Sequence, residues 1–228
     1  MYYDYKNSDI IRGITMLIIP LTVGFLSTKC YIVVCQETLE ALVVDPGFSE
    51  YEGKNILEEI KNSGFHVKYV VNTHGHADHI SGNFMVKETT GAKIIIHYKD
   101  AEMLNDPLKN LSVMMGLIIT SPPPDILVQD GDKISVGSLE FEVIHTPGHT
   151  PGSIVLHCKK EKVLFTGDTL FEGSVGRTDL PGASHEMLIQ SIRGKLLSLP
   201  DETIVYPGHG EDTTIGRERR WNPFITSL

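Results

Sequence analysis

Residues 73–79 read Thr-His-Gly-His-Ala-Asp-His and follow, after Asn72, the largely apolar run Val67-Lys68-Tyr69-Val70-Val71. That juxtaposition constrains the chain more than any other feature. Four side chains able to bind a cation, His74, His76, Asp78 and His79, fall within six residues. In extended chain the side-chain period is two, so His74 and His76 project to one side and both imidazoles reach one point. Asp78 and His79 then lie where the chain turns into the next segment, aimed at a second point nearby. Gly75 and Ala77 keep the intervening spaces free of bulk. A surface turn that is merely histidine-rich needs no partners elsewhere in the chain, whereas a metal centre does.

Such partners recur in one context. His149 follows the apolar run 141–144, Asp168 follows 163–165, and His209 follows 203–206. Each closes an expected buried strand and stands beside or near glycine, which lets backbone approach a site closely. Any one of the three alone reads as a loop residue; seven ligand-type residues in equivalent positions do not. With 10 histidines against 3 cysteines, the donors are nitrogen and oxygen rather than sulfur. That set suits zinc, iron or manganese. Cys30, Cys35 and Cys158 are odd in number and lie in apolar stretches, so they are expected as buried thiols of a cytoplasmic protein rather than as disulfides.

The remaining pattern points to sheets. Strands are expected at 17–26, 30–35, 41–44, 66–71, 94–97, 141–144, 154–157, 163–165 and 203–206, and helices at 55–61, 79–90 and 185–199. Residues 106–124 show no period and read as a long apolar loop. Strands clustered in each half, with helices between, predict two sheets packed face to face and covered by helices. The charge of -9, from 20 basic and 29 acidic residues, disfavours nucleic acid, the short run of Arg217, Arg219 and Arg220 notwithstanding. The longest apolar region, 10–26, is broken by Arg12, Pro20 and two glycines, and a membrane span needs about 20 apolar residues. The start of the chain is not basic, so no signal peptide is expected. Residues 1–15 are expected as an extension, and 16–228 as the domain.

The motifs Val-Val-Asp-Pro-Gly (43–47), Thr-His-Gly-His-Ala-Asp-His (73–79), Thr-Pro-Gly-His-Thr-Pro-Gly-Ser (146–153), Thr-Gly-Asp-Thr-Leu-Phe (166–171) and Pro-Gly-His-Gly (207–210) resemble those of metallo-beta-lactamase superfamily hydrolases. The segments 173–182 and 218–224 are similar to a single-domain, glyoxalase II-like group. The resemblance implies an α/β, four-layer αββα sandwich holding two divalent metal ions, zinc first and iron or manganese admitted. It implies His74, His76 and His149 on one ion, Asp78, His79 and His209 on the other, and Asp168 bridging both. The absence of a thiolate at the Asp168 position keeps the harder metals in play. A hydroxide held between the ions would attack a thioester carbonyl, such as that of S-lactoylglutathione, and Asp78 would also pass a proton.

Around this set, Asp45 is expected either to back a ligand histidine or to cap a turn. Arg177 is expected either to clamp a substrate carboxylate or to pair with Asp179. His145 reads as structural, and Met114, Met115 and Leu117 either line the mouth of the site or pack on the sandwich. Classical glyoxalase II enzymes grip glutathione with a lysine and a tyrosine in the loop where this sequence has Arg177-Thr178-Asp179. The same loop resembles that of mononuclear iron persulfide dioxygenases, which use the positions matching His74, His149 and Asp168. Lactonase or phosphodiesterase chemistry is the third reading. The expected partner is a small-molecule thioester, with no nucleic acid and no membrane, and a homodimer is admitted.

Overall fold

Alternation along the strand at 30–35 decides the layering. In β2 (Thr28–Cys35), Tyr31, Val33 and Cys35 face one apolar cluster while Cys30, Ile32 and Val34 face another, and all six are buried. A strand buried on both faces must lie between two layers. The computed structural model, which describes residues 15–226, shows both of them.

The first sheet joins β1 (Met16–Val23), β2, β3 (Glu40–Val44), β4 (His66–Val71), β5 (Lys93–His97) and β6 (Ile126–Val128) in that order. It is antiparallel as far as β3 and parallel from β3 to β6. Next come β7 (Lys133–Val136), β8 (Leu139–His145), β9 (Ile154–Cys158), β10 (Val163–Gly167) and a small hairpin of β11 (Leu170–Phe171) with β12 (Ser174–Val175). With β13 (Ile204–Pro207) and β14 (Thr213–Thr214) they build a second sheet, ordered β14-β13-β10-β9-β8-β7, outside which the hairpin stands.

Between the sheets, Tyr31, Leu42, Val71 and Ile95 meet Phe141, Val143, Leu156 and Phe165. The Phe165 ring lies 5.2 Å from that of Tyr31 and 5.4 Å from that of Tyr206, so aromatic packing spans the sandwich. The other face of the first sheet is covered by α1 (Glu50–Ser63), α2 (Ala77–Ile80) and α3 (Asn83–Thr90) through Leu57, Ile60, Ile80 and Val86. The second sheet is covered by α4 (His185–Ser191), α5 (Ile215–Trp221) and α6 (Pro223–Thr226) through Leu188, Ile215 and Ile225. The result is the expected four-layer αββα sandwich. Among the described residues no helix is long and apolar enough to cross a membrane.

Several boundaries differ from the sequence reading, for local reasons. β1 ends at Val23 because Gly24 turns the chain at φ 66°, leaving Phe25 and Leu26 exposed. α1 is longer than 55–61, since Ser49 and Glu52 form a reciprocal capping box at its start and Gly64 closes it in the left-handed region. The single helix expected at 79–90 is two, because the Gly82 amide donates to the Pro46 carbonyl at 2.6 Å. The helix expected at 185–199 passes after Ser191 into a π-helical turn, Ile192–Leu196. The loop 106–124 holds a short 3-10 turn, Ser112–Met115. The expected amino-terminal extension lies outside the described residues apart from residue 15.

Strand direction fixes where chemistry collects. β3, β4 and β5 run parallel, so the residues following them emerge at one edge of the first sheet. β10 is parallel to β13, and β8 shares their direction through two antiparallel pairings with β9, so these three also end together. Two backbone hydrogen bonds tie the edges to one another: the Ile154 amide donates to Thr73 O at 2.8 Å, and the Lys29 amide to Gly208 O at 2.7 Å.

Candidate metal centre

The loops after β4, β8, β10 and β13 bring all seven sequence-predicted ligand-type residues to that common edge. His74, His76 and His149 offer donor atoms within 4.8 Å of one another, and so do Asp78, His79 and His209. Between the two groups stands Asp168. Its Oδ1 lies 3.4 Å from His79 Nε2, and its Oδ2 lies 3.6 Å from His149 Nε2 and 3.7 Å from His209 Nε2. Asp78 Oδ2 lies 3.3 Å from both His79 Nε2 and His209 Nε2 and accepts from the buried Thr28 hydroxyl at 2.9 Å.

The surroundings fix which ring nitrogens face inward. His149 Nδ1 lies 2.9 Å from the Arg177 carbonyl, which can only accept, so the proton sits on Nδ1 and Nε2 carries a lone pair. His79 Nδ1 donates in the same way to Asp45 Oδ2 at 3.0 Å. Thr73 gives its hydroxyl hydrogen to Asp45 at 2.5 Å, which leaves its oxygen to accept from His74 Nδ1 at 3.2 Å. Asp45 also takes the Thr73 amide at 2.7 Å. Of the two roles open to it, Asp45 therefore backs a histidine. Although it lies within ligand reach of His74 and His79, it meets His79 from the Nδ1 side.

A cation fits what this leaves. Among the described residues, four buried side-chain polar atoms have no hydrogen-bond partner, and His74 Nε2 and Asp168 Oδ1 are two of them. Inward nitrogens also face each other, His76 Nδ1 and His149 Nε2 at 2.9 Å, and His79 Nε2 and His209 Nε2 at 3.3 Å. Opposed lone pairs repel unless a proton or a cation stands between them. Burial and the neighbouring histidines hold the pKa of His74 well below its ordinary value and that of His76 down to about 3. Both rings are thus neutral near pH 7, the state a metal ligand needs. Burial opposes charge on Asp78 and His79 too, yet their mutual attraction wins: Asp78 is held far below the usual carboxylate range, and Asp78, Asp168 and Asp45 lift His79 well above its own, so on this side a proton occupies the place a cation would take and would be released on metal binding. The His and Asp clusters fit a dinuclear metal site.

Other residues fall outside these groups. The Arg177 guanidinium makes a two-pronged pair with Asp179, at 2.8 and 2.7 Å, and is largely exposed; what it gives the cluster is its backbone carbonyl. His145 is structural, donating from Nε2 to Pro151 O at 2.9 Å and stacking on His97 at 4.1 Å. Met114 and Leu117 are exposed rather than packed on the sandwich. Thr28 and Asp100 are buried polar residues that the sequence did not single out. The signal available for Asp100 was its place just beyond a parallel strand, the position shared by Asp45 and the ligand-type residues.

A two-sheet sandwich with a His and Asp centre at one edge defines a class of metal-binding αββα proteins. Within that class the chain belongs to the metallo-beta-lactamase superfamily, whose family model matches residues 23–209. Members of this superfamily are generally metal-dependent hydrolases. The hydroxyacylglutathione hydrolase GloC of Haemophilus influenzae is 39% identical over 189 residues, covering 82% of this chain and 88% of that protein. Among solved structures, BLEG-1 B3 metallo-beta-lactamase superposes with a TM-score of 0.87 at 37% identity, covering 92% of this chain and all of that one. ETHE1 from Myxococcus xanthus gives 0.78 at 30% identity over 92% and 85% of the two chains. TTHA1623 in a di-iron-bound form gives 0.79 at 36% identity over 90% and 99%.

Proposed function

We propose that the protein is a metal-dependent thioester hydrolase of the glyoxalase II-like group, acting on S-lactoylglutathione or a related acyl thioester. The observation that carries this reading is the Asp168 carboxylate, which stands within 3.7 Å of histidines from both donor groups. In this reading His74, His76 and His149 would hold one ion and Asp78, His79 and His209 the second, with Asp168 able to serve both. The likeness to the Haemophilus influenzae hydroxyacylglutathione hydrolase supports the substrate class. The all-nitrogen-and-oxygen donor set takes zinc first and admits iron, which the di-iron-bound relative favours, or manganese.

When bound, two divalent ions would supply a water-derived nucleophile at neutral pH and polarise the carbonyl it attacks. The chain's own contribution is orientation. A hydroxyl behind His74, a carboxylate behind His79 and a backbone carbonyl behind His149 lock their tautomers, so no ring must turn over during the reaction. Asp78, fixed by Thr28, is the residue proposed to carry a proton during the reaction. Arg177 is the proposed contact for a substrate carboxylate, and it would exchange Asp179 for that group.

A second reading, persulfide dioxygenase chemistry at a single iron, is supported by the likeness to Myxococcus xanthus ETHE1. Metal content measured on protein purified without added metal separates the two. Two ions per chain with S-lactoylglutathione turnover is the expected result. One iron per chain, with oxygen uptake on glutathione persulfide, overturns it.

A further inference from the structure

Asp100 is a fully buried carboxylate in the 3-10 turn Tyr98–Leu104 that follows β5, and it touches neither donor group through its hydrogen bonds. Its Oδ2 accepts from the Gly75 amide at 3.2 Å and from the Thr150 hydroxyl at 2.6 Å, and its Oδ1 accepts from the Gly152 amide at 2.6 Å. Burying a carboxylate is costly, and three donors are what makes it tolerable. An apolar side chain would fill this space without that cost, so what the carboxylate holds together is informative.

It holds two loops from two different sheets. Gly75 is the residue between His74 and His76, whereas Thr150 and Gly152 follow His149. The same turn presses on both loops sterically. A Cβ on Gly75 would lie 2.4 Å from Met103 Cβ, and one on Gly152 would lie 2.5 Å from Asp100 Oδ1. Hydrogen bonds and close contact thus converge on one short element, and the residues it grips alternate with His74, His76 and His149. Asp45 holds the start of the same loop at Thr73, which backs His74, and its far end at His79 itself.

We propose that Asp100 is a positioning residue that sets the spacing of the His74, His76 and His149 group by clamping the two loops that carry it. The inference rests on the reading of that group as one ion's ligands. Asparagine at this position keeps the shape but turns an amide N–H toward at least one of the three donors, so the clamp opens while the core volume is unchanged.

The test is cobalt(II) titration of the metal-free protein, followed by absorption of the bound ion and by competition with a chelator. Wild-type protein is expected to take two ions. Asp100→Asn is expected to keep its circular dichroism, to bind one ion as wild type does, and to bind the other about 10–100-fold more weakly with a changed visible spectrum. If Asp100→Asn fails to fold, Thr150→Val removes one donor only and is expected to weaken the same ion by a smaller factor. Two ions held with wild-type affinity and an unchanged spectrum, in whichever variant folds, overturn the proposal and leave Asp100 a packing residue. Wild-type protein that takes no cobalt overturns the ligand assignment itself, and this proposal with it.

Discussion

The two sheets contribute to the centre in opposite ways. The first delivers His74, His76, Asp78 and His79 from one turn after β4, a dense group held by neighbours in sequence and by Asp45. The second delivers His149, Asp168 and His209 singly, from the ends of β8, β10 and β13. A local motif can be arranged by a few residues of chain, but three scattered side chains converge only when a whole sheet has its register. The dense side therefore sets what kind of centre can form, and the scattered side decides whether it closes. Asp168 is the point of contact between them, and it reaches histidines of both groups.

The largest effect expected from this asymmetry is at that point. Asp168→Ala should abolish both metal loading and hydrolysis, and metal analysis that still finds two tightly held ions would break the bridging assignment. Next, His149→Ala and His209→Ala each remove one scattered residue and should separate the two groups. Each is expected to retain one ion and to lose the other, in complementary fashion, by competition titration; loss of both ions in both variants would mean that the groups do not act independently.

Stripping the metal should cost the fold itself, because ions bound by both sheets act as a fastener between them. At ligand concentrations near 100 times Kd, linkage stabilises by about 2.7 kcal/mol. For a chain of this length that corresponds to a fall of roughly 5–10 °C in Tm on chelation. An unchanged Tm would mean that the folded chain holds no metal tightly. The smallest effect is expected at Arg177. Its pair with Asp179 is exposed, so Arg177→Ala should leave Tm as it was and raise KM several-fold with kcat little changed. A wild-type KM removes Arg177 from substrate contact.

Much of this was legible in the chain because both-face burial writes itself as continuous apolar runs. The strands at 30–35, 154–157 and 163–165 lie inside the structure's β2, β9 and β10 for that reason. β6 and β7 were not legible. β6 is three residues long, and β7 is a short edge strand whose Lys-Ile-Ser-Val alternation is too brief to stand out. Nor was α5, whose Ile-Gly-Arg-Glu-Arg-Arg-Trp sequence reads as a charged run until Thr214 is seen to cap it. All seven ligand-type residues were visible, since residue type and strand-end position together are distinctive. Asp100 was not, because His-Tyr-Lys-Asp-Ala-Glu reads as surface. Its burial is created by Gly75, Thr150 and Gly152, which reach it from 25, 50 and 52 positions away along the chain. Its place just beyond β5 was the one local hint; the contacts that define its role lie outside any local window.

The hydrogen bond from Lys29 to Gly208 has a consequence in time rather than in space. It joins the second strand of the protein to the loop that carries His209. During synthesis the dense turn at 73–79 precedes all three of its scattered partners, and it waits for more than half of the chain before the last of them, His209, exists. Contacts of such long sequence separation must close large loops, which makes them slow to form. The centre is complete only when both sheets have formed and met, so the ability to hold metal would mark a chain whose two sheets have found each other.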